Sequence, residues 1–589
     1  MSADEQETED WTELGPLSDF AEGAVMLKKL AGRRVACVRL GDELHALEDG
    51  CPHQGYPLSR GTLNGAVLTC PWHNWKFDVR SGDCTFGGEP AHRFPSRVDD
   101  GVVSLNTHRD PQREAKKLEE SLRAAALEAD VSRIVRDGLR LAAIDRAPSR
   151  RRDERGNVPS AALSILANDA ANREPWGFGH GLATLADLVS WADEGLLSAE
   201  EVLAVTGFVV TDPLRARTQR PPGEPGSEPM LDPHEAARRV PDHLEREERG
   251  QAEIAVRFVV RALGADAAFE ALSRFATRHV YDYGHGAIFL VKAFELSRRF
   301  PRVAESVFAA AAVNLAWATA ETALPAFAAT RRALTSLEAS PVVASSRELD
   351  SAEREALESE VLAGEREAVR AVLEALTRGV SARNLLTAIG HAAAVRLLRF
   401  DPAWAHRVDM DTGVLDVTHL VTFTEAALVL AAAHGDRDPQ LAARLAVLTA
   451  GFVGKLRRAD RKDADSDALE TSGQPVAADA LAAAVRAREV SRARGLGRAM
   501  PEPERSRAYA ALAPLAALDL ATRPIFISHA VKLTEALRRL DRDDPLRSPV
   551  YLEALAGYLA TPWPETRLRR TARLARQFLN DGRPPDGFY

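Results

Sequence analysis

The sequence changes character near residue 110, and this change constrains the fold more than any other feature. Between residues 20 and 107, short β-prone runs alternate with glycine turns, as in GAVLTCPW and DDGVVSLN. From THRDPQREAKK onward, Ala, Leu, Arg and Glu dominate at helical spacing. With 589 residues, the chain is also too long for a single hydrophobic core. The sequence therefore predicts a multi-domain protein, with a small all-β domain followed by a large all-α domain.

Composition also predicts where the domains and loops lie. We expect an acidic N-terminal tail over residues 1–14, the all-β domain over 15–108 and the all-α domain over 115–589. One stretch of the helical part is rich in Pro and Gly, and another is rich in charged and turn-forming residues. These stretches predict exposed loops near 215–233 and 456–475.

Charge and composition narrow the partners and the location. The 76 Lys and Arg residues are outnumbered by 85 Asp and Glu, which gives a net charge of −9 without a basic stripe suited to phosphate backbones. The acidic start MSADEQETEDW lacks the basic and apolar regions of a secretory signal. The longest uncharged apolar run, residues 306–320, is too short to span a bilayer. We therefore expect a cytoplasmic protein with no nucleic-acid or membrane partner.

Two short segments of the β domain carry a set of metal-binding side chains. Cys51-Pro-His53 is followed, after sixteen residues, by Cys70-Pro-Trp-His73. Two thiolates and two imidazoles suit a [2Fe-2S] cluster in which two His replace two Cys on one iron. The alternative is a structural Zn²⁺ site, for which the spacings C-x-H and C-x2-H are unusual. The other two cysteines, Cys37 and Cys84, are expected to be small packing residues of the strands.

The sequence around these ligands resembles the Rieske family. LHALEDGCPHQGYPL and TCPWHNWKFDVRSGDC match its two cluster loops and the hairpin that follows, and the resemblance covers the whole β domain. Respiratory members carry an extra disulfide-bonded cysteine in each loop, where this sequence has Tyr56 and Trp72. The resemblance is therefore to the ferredoxin and oxygenase branch. It implies a low potential, roughly −150 mV rather than +300 mV, and an external ferredoxin or reductase as electron donor.

The helical part repeats a pattern in which a histidine precedes an apolar helical run. Five segments share it, and they contain His180, His285, His391, His419 and His529. In the last two, Thr418-His419-x-Val421-x-x-Thr424-Glu425-Ala426 aligns with Ser528-His529-x-Val531-x-x-Thr534-Glu535-Ala536. For any single histidine, packing or capping within a bundle is the alternative.

Helical bundles build metal sites from inward side chains on separate helices, and neutral imidazole is a preferred iron ligand. We therefore predict a mononuclear non-heme iron site. Its first-rank ligands are His180, His285, His419 and His529, with His391 and Lys532 next. Lys532 lies three residues after His529 and so on the same helix face. Glu425 and Glu535, six residues after their histidines, are expected to turn away and form surface ion pairs.

The helical part also resembles the questin oxidase-like family of oxygenases. The segment from Ser528 to Ala536 is similar to that family's H-x-x-K-L segment, and the Gly-His-Gly sequences at His180 and His285 are looser matches. The family tends to place an acidic pair directly before the histidine of the H-x-x-K-L segment. Before that histidine, His529, this sequence has Ile527-Ser528. The resemblance implies an iron held by several histidines and a carboxylated Lys532, with O2-dependent ring opening of quinone-like aromatics.

Together these features predict an O2-dependent oxidoreductase of the mono- or dioxygenase type. A Rieske cluster would deliver electrons to a helical-domain iron, which would oxidise a small organic molecule, such as an aromatic or quinone-like compound. The alternative is an electron carrier or redox sensor with a helical docking scaffold, which predicts one cluster and no further metal. A ring-hydroxylating Rieske oxygenase of the usual architecture would require a second β-rich domain, and the helical pattern argues against it.

Overall fold

A computed structural model describes most of the chain. The described residues are 11–30, 32–106, 110–145, 158–214, 232–280, 282–318, 327–407, 413–462, 476–519, 521–545 and 547–564. They fall into two compact units. The β unit comprises Met1–Ala125 and Asp130–Arg150, and the helical unit comprises Ala126–Ala129 and Arg151–Tyr589. The predicted fold class, a small β-rich region followed by a large helical region, is confirmed.

The described part of the β unit has eleven short strands in three antiparallel sheets. The sheet orders are β1-β11-β10, β2-β3-β4-β9 and β5-β6-β7-β8. The strands are β1 (Trp11–Pro16), β2 (Val25–Leu30), β3 (Arg33–Leu40), β4 (Glu43–Glu48), β5 (Thr62–Asn64), β6 (Val67–Thr69), β7 (Lys76–Asp78), β8 (Cys84–Phe86), β9 (Arg93–Phe94), β10 (Ser96–Asp99) and β11 (Val102–Asn106). The third sheet carries the segments that contain the second pair of predicted cluster ligands.

Strand β3 is buried on both faces and separates two hydrophobic cores. Ala36 and Val38 face the core that contains Cys51 and Cys70, whereas Cys37 faces the opposite core. This alternation follows from the two-residue period of a strand. Cys37 is therefore a core packing residue, as expected, on the side away from the predicted ligands.

The structure corrects the predicted domain boundaries. Strand β1 begins at Trp11, which pairs with Asn106, so residues 11–14 belong to the fold and not to the tail. The β unit also includes most of helix α1 (Pro111–Glu128) and all of α2 (Val131–Asp145). The helical region thus begins at Pro111 rather than 115, and its first two helices fall mainly within the β unit.

The predicted loops lie mainly outside the described residues, namely at 215–231 and 463–475. The described edge of the second loop differs from the prediction. Residues Leu456–Ala459 form a 3-10 turn in which Leu456 and Ala459 are buried, because this turn continues directly from the preceding helix into the core.

The described part of the helical unit contains twenty α-helices. They are α3 (Ser160–Arg173), α4 (His180–Asp193), α5 (Ala199–Leu214), α6 (Pro233–Glu245), α7 (Arg249–Leu263), α8 (Ala265–Ala276), α9 (His285–Arg299), α10 (Ala304–Trp317), α11 (Ala328–Glu338), α12 (Ser351–Ala363), α13 (Glu365–Thr377), α14 (Ala382–Arg399), α15 (Pro402–His406), α16 (Val414–His434), α17 (Pro439–Lys455), α18 (Ala478–Arg486), α19 (Val490–Ala499), α20 (Glu502–Pro514), α21 (Pro524–Asp543) and α22 (Ser548–Ala560).

Four of these helices form a closed ring of neighbours. Helix α4 packs against α9 and α21, and α16 also packs against α9 and α21. Apolar residues occur on all sides of α16, as expected for a helix surrounded by others. The ring encloses a volume into which each helix can direct one side chain.

Among the described helices, α16 is long and apolar enough to cross a membrane by length and composition. Its most apolar 18-residue window has a mean hydropathy of 1.5, and 83% of that window is buried by the rest of the protein. Core helices of globular proteins have the same properties, so this feature is weak evidence for a membrane span.

Candidate metal centres

The two predicted cluster loops, 51–56 and 70–75, have the same backbone design. The Cys51 N–H donates to the carbonyl of Tyr56 (2.9 Å), and the Cys70 N–H donates to that of Trp75 (2.8 Å). In each loop the residue four positions after the cysteine, Gly55 or Asn74, returns a hydrogen bond to the cysteine carbonyl. Both residues are in the left-handed region, with φ of 75° and 61°. Local hydrogen bonds therefore preform both loops.

The four predicted ligands lie together at the tip of these loops. Cys51 and Cys70 are each only 2% exposed, and the imidazole rings of His53 and His73 are 4.5 Å apart between centroids. Burial raises the pKa of the Cys51 thiol, so a thiolate at this position needs a cation beside it. Two buried sulfurs below two more accessible imidazoles fit a cluster with one sulfur-bound and one nitrogen-bound iron.

Aromatic rings surround the loops. Tyr56 and Trp72, which replace the extra cysteines of respiratory Rieske proteins, are stacked with centroids 5.6 Å apart. The indole of Trp75 stacks on His53 at 4.7 Å. Gly87 permits this packing, because a Cβ there would lie 2.5 Å from the Trp75 ring. Trp72 is 58% exposed and His73 is also exposed, so the tip is open on the His73 side.

A helix of the β unit covers the other loop. The Arg136 guanidinium on α2 donates to the backbone carbonyl of His53 (3.4 Å) and to the carboxylate of Glu89 (3.0 Å). It also donates to Asp137 (2.8 Å), which is fully buried. The His53 loop is thus held by charged groups, whereas the His73 loop faces solvent.

In the helical unit, the ring of four helices brings four of the five predicted histidines together. His180 and His285 are the first residues of α4 and α9, and His419 and His529 are the sixth residues of α16 and α21. One ring nitrogen from each of His180, His419 and His529 lies within 4.8 Å of the others. The Nε2 atoms of His285 and His419 are 2.8 Å apart. Together with Lys532, these four histidines are termed the histidine site.

Two side chains that the sequence analysis missed orient these imidazoles. The Asp282 carboxylate lies 3.0 Å from Nδ1 of His285, and the Thr418 hydroxyl lies 2.8 Å from Nδ1 of His529. That hydroxyl donates to the Leu415 carbonyl (2.7 Å), so it accepts the Nδ1–H of His529. Both contacts leave Nε2 as the lone-pair atom that faces the site. Thr418 was visible in the repeated motif, and Asp282 lies three residues before its histidine.

Burial disfavours the charged forms of the site's bases. It lowers the pKa of His180, His419 and His529 well below the usual value, and the nearby Lys532 lowers that of His180 and His529 further. Burial also lowers the pKa of Lys532 to about 7. The Lys532 Nζ lies 2.6 Å from Nδ1 of His180. A cluster of neutral nitrogen donors in a protein interior fits a divalent transition metal, whose charge would replace the lost solvation.

A strained turn borders the site. Asp282, Tyr283 and Gly284 have φ of 42°, 59° and 85°, three consecutive left-handed residues. The turn aims Asp282 at His285 and stacks the Tyr283 ring over His419, with centroids 5.8 Å apart. Glycine is required at 284 because a Cβ would lie 2.5 Å from the ring of Phe423. Strain of this kind persists where surrounding packing enforces it, and it is frequent at functional sites.

The contacts of His391, also predicted as a ligand, are not with the other four histidines. His391 is the tenth residue of α14, not the start of a helix, and α14 is not one of the four helices of the ring. Its Nδ1 lies 3.0 Å from the Glu358 carboxylate, and the centroids of its ring and the Tyr551 ring are 6.2 Å apart. This imidazole is therefore part of a separate polar cluster between helices.

The prediction of surface pairs for Glu425 and Glu535 is wrong. They do turn away from their histidines, but they are 4% and 1% exposed and share one partner, the partly buried Arg539. The Trp191 indole donates to Glu535 as well (2.8 Å). The helical period gives the direction of these side chains correctly, but it does not reveal which helix covers them.

Comparison with known proteins bears on the β unit. Residues 10–96 match the family model described as the Rieske [2Fe-2S] domain. The chain is 33% identical over 99 residues to an anthranilate 1,2-dioxygenase ferredoxin subunit of Burkholderia cepacia, a match that covers 16% of this chain and 92% of that protein. It is 49% identical over 55 residues to a 4beta-methylsterol monooxygenase of Methylococcus capsulatus, covering 9% and 15% respectively.

Among solved structures, a complex of reduced oxygenase and oxidized ferredoxin in carbazole 1,9a-dioxygenase has a matching chain. It is 29% identical and has a TM-score of 0.17, and the match covers 18% of this chain and 98% of that one. None of these three relatives aligns with more than 18% of this chain.

Proposed function

Because the chain belongs to the Rieske [2Fe-2S] family through residues 10–96, we propose that it is an iron–sulfur oxidoreductase with a second, mononuclear iron in its helical unit. The relatives support a [2Fe-2S] cluster and an electron-transfer role for the β unit. The substrate we propose is a small organic molecule, aromatic or quinone-like, that is oxidised at the expense of O2.

In the β unit, Cys51 and Cys70 would bind one iron of the cluster, and His53 and His73 would bind the other. The preformed loops and the buried sulfurs support this assignment. The open His73 side suits the approach of a redox partner, since an external ferredoxin or reductase needs a short path to the cluster. The helix that carries Arg136 covers the His53 side instead.

In the helical unit, His180, His285, His419 and His529 would hold the iron, and Lys532 would complete the set. A deprotonated lysine can react with CO2 to form a carbamate, which offers carboxylate oxygens. Burial of Lys532, which is 2% exposed, favours the uncharged amine that this reaction requires. Asp282 and Thr418 would hold the imidazoles of His285 and His529 in the ligating tautomer.

The observation that carries the proposal is the convergence of these nitrogens from four helices. When bound, the cluster would supply one-electron transfer, and the iron would supply a position at which O2 and substrate react. The protein supplies the surroundings. Phe289 stacks on His285 with centroids 4.7 Å apart, and Tyr283 lies over His419. These rings suit a flat, apolar substrate and limit the access of water.

A direct test measures how fast O2 reoxidises the reduced cluster. Purified full-length protein is reduced under anaerobic conditions and then mixed with O2, and the return of the oxidised cluster absorption is timed. We expect faster reoxidation in the wild type than in a His419→Ala, His529→Ala double variant, because only the wild type would offer the electrons a site at which to reduce O2. Equal rates would contradict the proposal.

A simple electron carrier is the second candidate. It is favoured by the ferredoxin subunits that match the β unit over 92% of their own length, since these are separate electron-transfer components. In that case the histidine site would be a packed polar cluster that holds no metal. The iron content of the protein separates the two candidates.

A further inference from the structure

A group of buried and partly buried charged side chains lies further along the same four helices that carry the histidine site. Its centre is an arginine hub, made of Arg539 and the three carboxylates around it. Arg539 lies 2.5 Å from Glu295 on α9, 2.7 Å from Glu425 on α16 and 2.6 Å from Glu535 on its own helix, α21. One guanidinium therefore joins three of the four helices that carry the histidines.

Two further ion pairs attach the remaining helix, α4. Lys292 on α9 lies 2.8 Å from Asp187 on α4 and 3.1 Å from the hub residue Glu295. Arg538 on α21 donates to Glu194, which follows α4, at 2.6 Å, and to Glu535 at 2.9 Å. Every helix of the ring is thus tied to the hub by charged hydrogen bonds, which are stronger than those between neutral groups.

The spacing from each histidine to its charged residue is nearly constant. Asp187 and Lys292 lie seven residues after His180 and His285. Glu425 and Glu535 lie six residues after His419 and His529. At 1.5 Å per residue, these four charged residues lie about 9 to 10.5 Å along the helices from the imidazoles, and the hub residue Glu295, ten residues after His285, lies about 15 Å along α9. This charged layer is therefore a second layer of the same construction, two turns below the histidines.

The hub also explains the motif that α16 and α21 share. Thr424 and Thr534 each donate to the carbonyl four residues earlier in their own helix, at 2.6 and 2.7 Å, which satisfies their buried hydroxyls. The next residue in each motif is the glutamate that pairs with Arg539. Both copies of the motif thus place a histidine in the histidine site and a glutamate in the arginine hub.

The charge of this layer suits a cation nearby. Five carboxylates (Asp187, Glu194, Glu295, Glu425 and Glu535) face three cations (Lys292, Arg538 and Arg539). Burial would raise the pKa of Glu535, but Arg539 and Arg538 outweigh it and lower that pKa to about 2. Glu535 therefore stays ionised, whereas burial raises the pKa of Asp187 to about 7, so the excess of negative charge in the layer is at most two.

We propose that Arg539 is a positioning residue for the histidine site, holding the four helices in the register that lets their histidines share one metal ion. This inference rests on the proposed function, since it requires that the site bind iron. Arg539 does not touch the imidazoles in the contacts described above. It acts through the helices, because each carboxylate that it binds fixes the axial position of one of them.

The test uses full-length protein, purified without O2 and loaded with Fe²⁺. Retention of the non-cluster iron is measured by competition with a chelator of known affinity, for the wild type and Arg539→Met. We expect a loss of affinity of roughly 10- to 100-fold, the usual effect of removing contacts that support metal ligands. The EPR spectrum of the nitric oxide adduct of this iron should also change, because it reports ligand symmetry.

The matched control is Arg354→Met. Arg354 is similarly buried and bridges Glu358 (2.7 Å) and Asp544 (3.0 Å), the residue that follows α21, and it is not among the ion pairs of the charged layer given above. It should lower thermal stability but leave iron retention unchanged. If Arg539→Met retains iron as the wild type does, or if both variants lose it equally, the positioning role is wrong. If the wild type holds only cluster iron, the proposed function itself fails and this inference falls with it.

A milder pair covers the case in which Arg539→Met does not fold. Arg539→Lys keeps the charge but loses the planar fork that reaches three carboxylates at once. We expect it to weaken iron retention more than Arg354→Lys does. Equal retention in these two variants would overturn the proposal.

Discussion

The two candidate centres use similar side chains but are built in opposite ways. The cluster loops lie within 23 residues of sequence, from Cys51 to His73, and backbone hydrogen bonds inside each loop fix their shape. The histidine site joins residues up to 352 positions apart, and no local hydrogen bond could bring them together. One centre is specified locally, and the other depends on the packing of four helices.

The two centres also differ in solvent exposure: the locally specified cluster site is exposed, and the histidine site is buried. The cluster tip presents His73 and Trp72 to solvent, as a site that exchanges electrons with a partner requires. His419 and His529 are only 4% and 3% exposed, which suits a site that keeps water away from a reaction. A local, exposed centre and a distributed, buried one should therefore respond differently to mutation.

The largest expected effect is a clean separation of the two centres. Cys51→Ser should abolish the cluster absorption and its EPR signal, because a thiolate ligand is lost, and should leave the iron of the histidine site in place. Iron analysis should then fall from three per chain to one. Cys84→Ser, which alters a packing cysteine beside the same core, should keep all three. Loss of all iron in Cys51→Ser would mean that the two centres are not independent.

A smaller effect is expected at the strained turn beside the histidine site. Gly284→Ala should lower the free energy of unfolding by about 2 to 4 kcal/mol, since it combines left-handed strain with overpacking against Phe423. Gly379→Ala is the matched control, because Gly379 has φ of 79° and open space around it. Its cost should be about 1 to 2 kcal/mol. Thermal unfolding followed by far-UV circular dichroism compares them, and equal losses would remove the packing argument.

The covered side of the cluster offers a subtler test. Arg136→Gln removes a positive charge beside the His53 loop and leaves Glu89 without that partner, so the oxidised cluster becomes relatively more stable. We expect the midpoint potential to fall by less than about 59 mV, which is a tenfold change for one electron. Arg80→Gln, an exposed arginine paired with Asp78, should shift it much less. A rise in potential, or equal shifts, would contradict the role of Arg136.

The smallest effect concerns the pH dependence of stability. Arg539 and Arg538 overcome burial and lower the pKa of Glu535 to about 2, below its unfolded value near 4.5. The stabilisation is therefore fully present above pH 4.5 and is lost as the pH falls toward 2. Glu535→Gln should be less stable than the wild type at pH 7 but lose less stability between pH 5 and 3. Parallel pH profiles would show that Glu535 does not carry this dependence.

The cluster site could be predicted from sequence because its information is local. Two Cys and two His at fixed spacing, with Pro, Gly and aromatic neighbours, define the loops almost completely. What the sequence did not show was Arg136, since its contact with His53 spans 83 residues. The start of the β unit at Trp11 was also missed, because its pairing partner Asn106 lies at the other end of the module.

The histidine site was predictable only in outline. The repeated motif identified four histidines that the structure brings together, but it also included His391, whose helix lies outside the ring. Helical periodicity gives the direction of a side chain relative to its own axis and not the identity of the neighbour. For that reason Glu425 and Glu535 were placed at the surface. In the structure both pair with Arg539, which lies one turn after Glu535 on the same helix and on a neighbouring helix relative to Glu425.

The most direct measurement is the iron content per chain, together with low-temperature EPR, of anaerobically purified wild type and the His419→Ala, His529→Ala variant. We predict three irons in the wild type and two in the variant, with the Rieske signal unchanged in both. Two irons in both proteins would contradict a metal centre in the helical unit and leave an electron carrier whose buried histidines only pack.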